Sequence, residues 1–333
     1  MKKLSALMIL LCLLVAGCMK NEVINTITNE PEQTKSATPV VTETPMPTYS
    51  VTAPDVTRAP VVLPSRTPEN HATEKPEETV TPQNKKEEIH LDSNWEFADF
   101  SEINSGCAVL YRAEKNRKNI VIGVNAGHGT NGGTSKKTNC HPDKTPKLTS
   151  GTTAAGSLKA VAVSGGMTFN DGTPEMKVTL RTAQLLKDLL LNDGYDVLML
   201  RDGNDVQLDN VARTVICNNI ADCHIAIHFD GDGLDYDKGC FYLRAPDGLK
   251  KMYPVSETWE KSHALGDSII EGLQDNGSKI RSKGYTNQDL TQTSYSKVPS
   301  VNIELGNQCS KHDDESLLKL SKGLKAGIDK YFS

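Results

Sequence analysis

The chain has 333 residues and a formal net charge of −5, with 24% charged and 5% aromatic residues. This balance argues against a nucleic-acid binder and against a protein held to a membrane by charge alone. The length permits two domains, but the N-terminal quarter lacks the composition of a folded one.

Residues 1–18 read MKKLSALMILLCLLVAGC, with Lys2 and Lys3 before an apolar run too short to span a bilayer. Val15-Ala16-Gly17-Cys18 resembles the lipobox of bacterial lipoproteins, which implies a cleaved signal peptide and a lipid-modified Cys18. A plain secretory signal with an incidental cysteine is the other reading. Several acyl chains on one cysteine anchor far more firmly than a single chain. Residues 19–88 are rich in Thr, Pro, Val, Glu and Ser and have no apolar periodicity. Such a segment buries too little apolar surface to offset its ordering entropy, so an extended tether is expected. Random-coil scaling over about 70 residues gives a reach of roughly 45 Å.

From residue 89 the composition is that of a folded domain. Asn119–Val124 reads as a buried strand, and VIGVNAGHGTNGG follows from Val121. Within it Gly127-His128-Gly129-Thr130-Asn131-Gly132 matches the dinucleotide pattern G-x-G-x-x-G. That reading requires a helix to open at the third glycine, where its N-terminus would hold a pyrophosphate. The residues that follow, GTSKKTNCHP, are loop chemistry, so the match is set aside and His128 itself becomes the candidate. A Thr/Gly/Ser-rich insertion around SGTTAAGS comes next. Pro174–Asn192 reads as a helix with Thr173 as N-cap, an inner face of Val178, Leu185, Leu186 and Leu189, and Gly194 as its stop. Tyr195–Leu200 reads as a strand, Val206–Ile220 as a helix and His224–His228 as a strand. Gly239–Arg244 reads as a strand at a sheet edge, and 275–297 as loop beyond a helix over Glu257–Gln274. Val298–Glu304 is a strand, and Glu315–Tyr331 a closing amphipathic helix. Strands alternating with helices predict an α/β fold, a twisted mostly parallel sheet with helices on both faces.

In such sheets functional groups gather at the carboxyl ends of strands, where His128, His228 and Glu304 all fall. Two histidines and a carboxylate make a three-ligand zinc site with one open position. Glu175, in the first turn of its helix, fits as the carboxylate, because the helix dipole favours its ionised form. Glu304 then faces the reacting water without binding metal. Each residue also has a structural reading: His128 as a turn residue, Glu175 as an ordinary first-turn acid, His228 as a core histidine. Glu304 interrupts an apolar strand, which is costly unless it pairs or functions. His224 and His228 are four apart, but on a strand and without the Glu of H-E-x-x-H; His224 is expected to support His228 from the same face. Cys140-His141 lies in a loop without partners. Six cysteines (Cys107, Cys140, Cys217, Cys223, Cys240, Cys309) fall in the folded part with no C-x-x-C pair, leaving disulfides and buried thiols both open.

Four blocks resemble the zinc-dependent N-acetylmuramoyl-L-alanine amidases of bacterial cell walls, the amidase-3 type. They are Ile120–Gly129 with its Gly-His-Gly turn, Glu175–Leu180 followed by Gly194–Val197 and Leu200-Arg201-Asp202, then Leu208, Arg213, Asn218, Ala221-Asp222 and Ala226-Ile227-His228-Phe229, and finally Val298–Gly306. The resemblance covers roughly residues 119 to 333. It implies one zinc ion on His128, Glu175 and His228, with Glu304 as catalytic glutamate. It also implies hydrolysis of the bond between N-acetylmuramic acid and L-alanine in peptidoglycan. Family members usually have Asp-Pro where this chain has Asn125-Ala126, and often Ala-Asn where it has Phe229-Asp230; the His128-to-Glu175 interval is also long. The domain organisation expected is a lipoprotein signal over 1–18, a tether over 19–88 and a catalytic domain over 89–333. The expected protein is a monomer outside the cytoplasm, in contact with the membrane through its lipid only. Competing readings are a zinc peptidase or amidase on another extracellular peptide, and a non-catalytic wall-binding or structural lipoprotein.

Overall fold

The computed structural model describes residues 86–333. The signal peptide, Cys18 and nearly all of the tether lie outside the described residues. Eight strands form one sheet: β1 (Lys86–His90), β2 (Cys107–Tyr111), β3 (Val121–Ala126), β6 (Asp196–Met199), β7 (Cys223–Asp230), β8 (Cys240–Arg244), β9 (Ile280–Asn287) and β10 (Ser300–Asn307). β4 (Lys137–Asn139) and β5 (Lys159–Val161) make a separate hairpin within the insertion. The main order is β1-β2-β6-β3-β7-β10-β8-β9. The centre, β6-β3-β7-β10, is parallel, as is β8-β9, whereas β1-β2, β2-β6 and β10-β8 are antiparallel. β1 straddles the expected start of the domain at residue 89.

The central strands are continuous Val/Ile/Leu runs because both faces of a parallel sheet are covered. In β6 the faces separate residue by residue: Val197 and Met199 join the core on the side of α1 (Glu175–Asn192), which α3 (Val255–Asp275) and α5 (Asp314–Phe332) also cover. Leu198 and Leu200 instead meet Leu208, Ala212 and Ile216, the last two on α2 (Asn210–Ile220). A short α4 (Thr291–Tyr295) packs on the α2 side through Tyr295 against Val211 and Val215. Helices thus cover both faces. Each fully buried Leu or Ile contributes roughly 1.5–3 kcal/mol. Helices α3 and α5 approach closely: a Cβ on Gly272 would lie 2.2 Å from the Gly327 nitrogen.

Several expected boundaries move. α1 begins at Glu175 because Pro174, in extended backbone, takes the N-cap place expected for Thr173. Its buried stripe runs through Val178, Thr182, Leu186 and Leu190, with Leu185 and Leu189 only partly buried. α2 begins later than Val206, because the Asp209 carboxylate accepts from the Ala212 amide at 2.8 Å and caps the helix there. β8 is no edge; it lies between β10 and β9. β9 is the edge, in a segment whose sequence reads as loop. All six cysteines of the folded part are free thiols.

Asp289, just past β9, is the centre of the contacts that hold the insertion, beside bonds from Gln288 to the Ser150 carbonyl at 3.2 Å and from Tyr295 to the Asn139 carbonyl at 3.3 Å. His141, expected to lack partners, is fully buried and meets both carboxylate oxygens of Asp289 at 3.0 Å. Asp289 also accepts from the Leu148 amide at 2.6 Å, and its own amide donates to Thr149 Oγ1 at 2.9 Å. Lys147 donates to the Asp289 carbonyl. Burial alone would raise the Asp289 carboxyl, but the hydrogen bonds from His141 and Leu148, with Lys147 nearby, bring it below the usual range. Its stabilisation is therefore present above the unfolded carboxyl pKa of about 4 and lost as pH falls through the lower folded value. Asp289→Ala leaves His141 and Lys147 buried without their anion. It should cost roughly 3 kcal/mol and lower Tm by about 6–12 °C, with first proteolytic cuts inside residues 137–161. The difference from wild type, followed by thermal unfolding, should fade under acid.

Candidate metal centre and groove

The Gly127-His128 turn leaves the C-terminal end of β3 directly beside β7. Ala126 is in register with Ile227, and the Gly127 amide donates to the Ile227 carbonyl at 3.0 Å. His128 sits in the left-handed region at φ 65°, uncommon outside glycine. Two buried arginines hold it there by binding the turn's carbonyls. Arg201, just past β6, donates to Ala126 O at 3.1 Å and Gly127 O at 2.9 Å. Arg213, on α2, donates to Ala126 O at 3.2 Å and His128 O at 2.7 Å. Burial lowers both guanidinium pKa values, to about 10 and about 9 respectively. Sequence reasoning placed both arginines in the quoted blocks but gave neither a role. The available signal was two arginines in otherwise apolar elements, where an unpaired charge is too costly to keep.

His128 Nδ1 lies 2.8 Å from the Ser164 carbonyl. A carbonyl only accepts, so the ring proton is on Nδ1 and the Nε2 lone pair faces inward. Nε2 lies 2.9 Å from Glu175 Oε1 and 3.0 Å from His228 Nδ1, which is itself 3.1 Å from the same oxygen. Glu175 is 2% exposed at the first residue of α1. Its Oε1 accepts from the Phe229 amide at 3.0 Å and its Oε2 from the Met167 amide at 2.8 Å. Burial alone would raise this carboxyl, but His128 and His228 outweigh it and hold it well below the usual range. Burial lowers the His228 ring's pKa, with Glu175 opposing and His128 adding to the shift. Three atoms that can each offer a lone pair converge here as a donor set for a cation, and the sequence-predicted trio is brought together.

Gly127 is required by this packing, since a Cβ there would lie 2.3 Å from His228 Cε1. Glu304, on β10, is the register neighbour of His228 on one side and of Phe241 on the other. It is 8% exposed, and Oε2 has no hydrogen-bond partner among the described residues. Burial raises its carboxyl well above the usual range, with Glu175 and Asp230 adding and Lys238 opposing. His224 does not support His228 as expected. It turns to Asn125, Nε2 to Nδ2 at 3.1 Å, and Asn125 Oδ1 accepts from Arg213 at 3.0 Å. Burial beside Arg213 pushes His224 down to about 3, so it is neutral and steadies the turn from behind.

His128, Glu175, His228 and Glu304 open into one groove of about 680 Å³, walled on one side by the insertion at Gly151–Thr153 and on another by β9 and the segment after it. An α/β sheet with a His-Glu-His cluster that could hold a metal ion and an unpartnered glutamate beside it fits a hydrolase. Residues 122–328 match the family model described as N-acetylmuramoyl-L-alanine amidase, and the chain belongs to that family. It is an enzyme of peptidoglycan amide hydrolysis, cleaving between N-acetylmuramic acid and L-alanine. Among solved structures it is similar to the apo form of the N-acetylmuramyl-L-alanine amidase Ami1 from Mycobacterium abscessus. The identity is 20% and the TM-score 0.53, over 65% of this chain and 99% of that one. Ami1 from Mycobacterium smegmatis is similar over 65% and 98%, at 16% identity and a TM-score of 0.53. These likenesses concern the fold. No curated relative matches the sequence.

Gly127→Ala forces the His228 ring aside while leaving the core untouched. Amidase turnover should fall by roughly 100-fold or more with Tm within a few degrees of wild type, a displacement of about 1 Å being enough for such a loss.

Proposed function

We propose that His128, Glu175 and His228 hold one zinc ion and that Glu304 is the general base and acid of the amide hydrolysis. The observation that carries this reading is the approach of His128 Nε2, Glu175 Oε1 and His228 Nδ1 to within 3.1 Å of one another beside the partnerless Glu304 carboxylate. Those separations are close to the roughly 3.3 Å between ligands of tetrahedral zinc with bonds of about 2.0–2.1 Å. The donor set suits zinc: neutral imidazoles, one ionised carboxylate and no thiolate.

When bound, zinc supplies Lewis acidity toward the scissile carbonyl and makes water acidic near neutral pH. The residues of the chain do the rest. The Nδ1 proton of His128, donated to the Ser164 carbonyl, fixes the ring so that Nε2 faces the centre. The Phe229 and Met167 amides hold the Glu175 carboxylate in place, and His128 and His228 keep it ionised. Glu304 takes a proton from the attacking water and returns it to the departing nitrogen of L-alanine. The products are the lactyl carboxylate and a new alanine amino terminus. Burial and nearby carboxylates favour the protonated form of Glu304, and a cation beside it favours the ionised form. Opposed influences of this kind poise a group to take and return a proton.

We further propose that the enzyme works outside the cytoplasm as a monomer, anchored by lipid on Cys18 with residues 19–88 as tether. Among the described residues no helix is long and apolar enough to cross a membrane.

Purified peptidoglycan treated with the enzyme should yield new L-alanine amino termini. A chelator should abolish their release and added zinc restore it. Glu304→Gln should lower turnover by roughly 10²- to 10⁴-fold and keep the wild-type metal content by elemental analysis. Wild-type turnover in that variant would sink the assignment.

A further inference from the structure

Beside the carboxyl groups of Glu175, Asp230 and Glu304, three cationic residues line the groove: Lys147, Arg213 and Arg281. Two are engaged. Lys147 donates to the Asp289 carbonyl, and Arg213 is buried against the Ala126 and His128 carbonyls. The next cation outside, Lys238, pairs with Asp230 and Asp232. Arg281 alone is exposed and makes no ion pair or hydrogen bond among the described residues.

Its position is built by an irregularity of the edge strand. Cys240 of β8 pairs with Ile280 of β9, and Tyr242 with Tyr285, so a two-residue step on β8 faces a five-residue step on β9. The surplus residues bulge, with Ser282 at φ 47° and Gly284 at φ 82°. A serine in the left-handed region costs energy that a plain edge strand would not incur. Bulges re-aim side chains, and this one lays the Arg281 guanidinium over the Phe241 ring, 4.7 Å from its centroid. Phe241 is the register partner of Glu304. The guanidinium therefore stands one side chain away from the proposed catalytic glutamate, with its fork of donors unspent.

We propose that Arg281 is a specificity-determining residue that binds a carboxylate on the peptide side of the substrate, so that the enzyme prefers stem peptides in which that carboxylate is free rather than amidated. The inference rests on the site assigned above, because it reads the groove as holding the peptide beyond the scissile bond. Of the cations lining the groove, a single unpaired planar one at the rim supplies both the attraction and the direction for an anionic peptide. A primary amide in place of the carboxylate cannot form the charged pair and leaves the guanidinium without its anion.

The test compares two soluble muropeptides that differ only in whether the peptide carboxylate is free or a primary amide. The full chain is assayed as wild type, Arg281→Gln, Arg281→Lys and Glu304→Gln, with kcat and KM separated. Wild type should favour the free carboxylate by roughly 10- to 100-fold in kcat/KM. In Arg281→Gln that ratio should collapse to about one, chiefly through KM for the free form. Arg281→Lys, a point charge without the fork, should keep part of the preference. An unchanged ratio in Arg281→Gln overturns the proposal whatever Glu304→Gln does. Undiminished turnover in Glu304→Gln alongside a collapsed ratio in Arg281→Gln would instead move the catalytic assignment and leave Arg281 as the carboxylate reader.

Discussion

The ladder joining β3, β7 and β10 is the constraint on which the site depends. Gly127, His228 and Glu304 fall in one row across these three parallel strands, fixed by the Gly127-to-Ile227 hydrogen bond and the Glu304–His228 register. Side chains alternate along a strand, so a slip of one residue would present Ile227 or Phe229 where His228 now stands. Burial on both faces makes such a slip expensive, since Ile225, Ile227 and Ile303 would leave the core. The apolar sheet centre thus sets the precision of a polar cluster at its end.

That precision has a local cost. A histidine at positive φ and two guanidinium groups out of water are each unfavourable alone. They coexist because Arg201 and Arg213 spend their donors on the carbonyls of the very turn that strains His128. The neutral His224 and Asn125 close the arrangement behind it. Where amidase-3 relatives usually carry Asp-Pro, this chain has Asn125-Ala126, and Asn125 offers both a donor and an acceptor to that network.

Much of this was legible in the sequence, for identifiable reasons. The central strands and long helices announce themselves because apolar runs and the 3.6-residue period both report burial. His128, Glu175 and His228 could be grouped because strand ends and a helix start converge by topology alone. β9 was not legible. Its sequence IRSKGYTN carries charge and glycine because it is an edge strand with a bulge, where neither alternation nor β-propensity is demanded. β1 escaped notice because KEEIH carries almost no apolar signal, whereas β2, CAVLY, is an apolar run whose burial the sequence did report. His141 looked partnerless because its anion, Asp289, lies 148 residues away along the chain. Pairings of that span arise from tertiary structure and leave no local trace.

Asp289 also decides how the groove can change over time. The donors at its floor hang from the central strands and from α1, while its outer wall hangs from Asp289 beside the edge strand. The two sets of attachments share no residue. Lengthening, shortening or rewriting the segment between Lys137 and Val161 alters the width and lining of the groove and leaves the row of Gly127, His228 and Glu304 where it is. The fold thus hangs the proposed metal ligands and the outer wall of the groove on different elements, and a lineage can rewrite the second without moving the first.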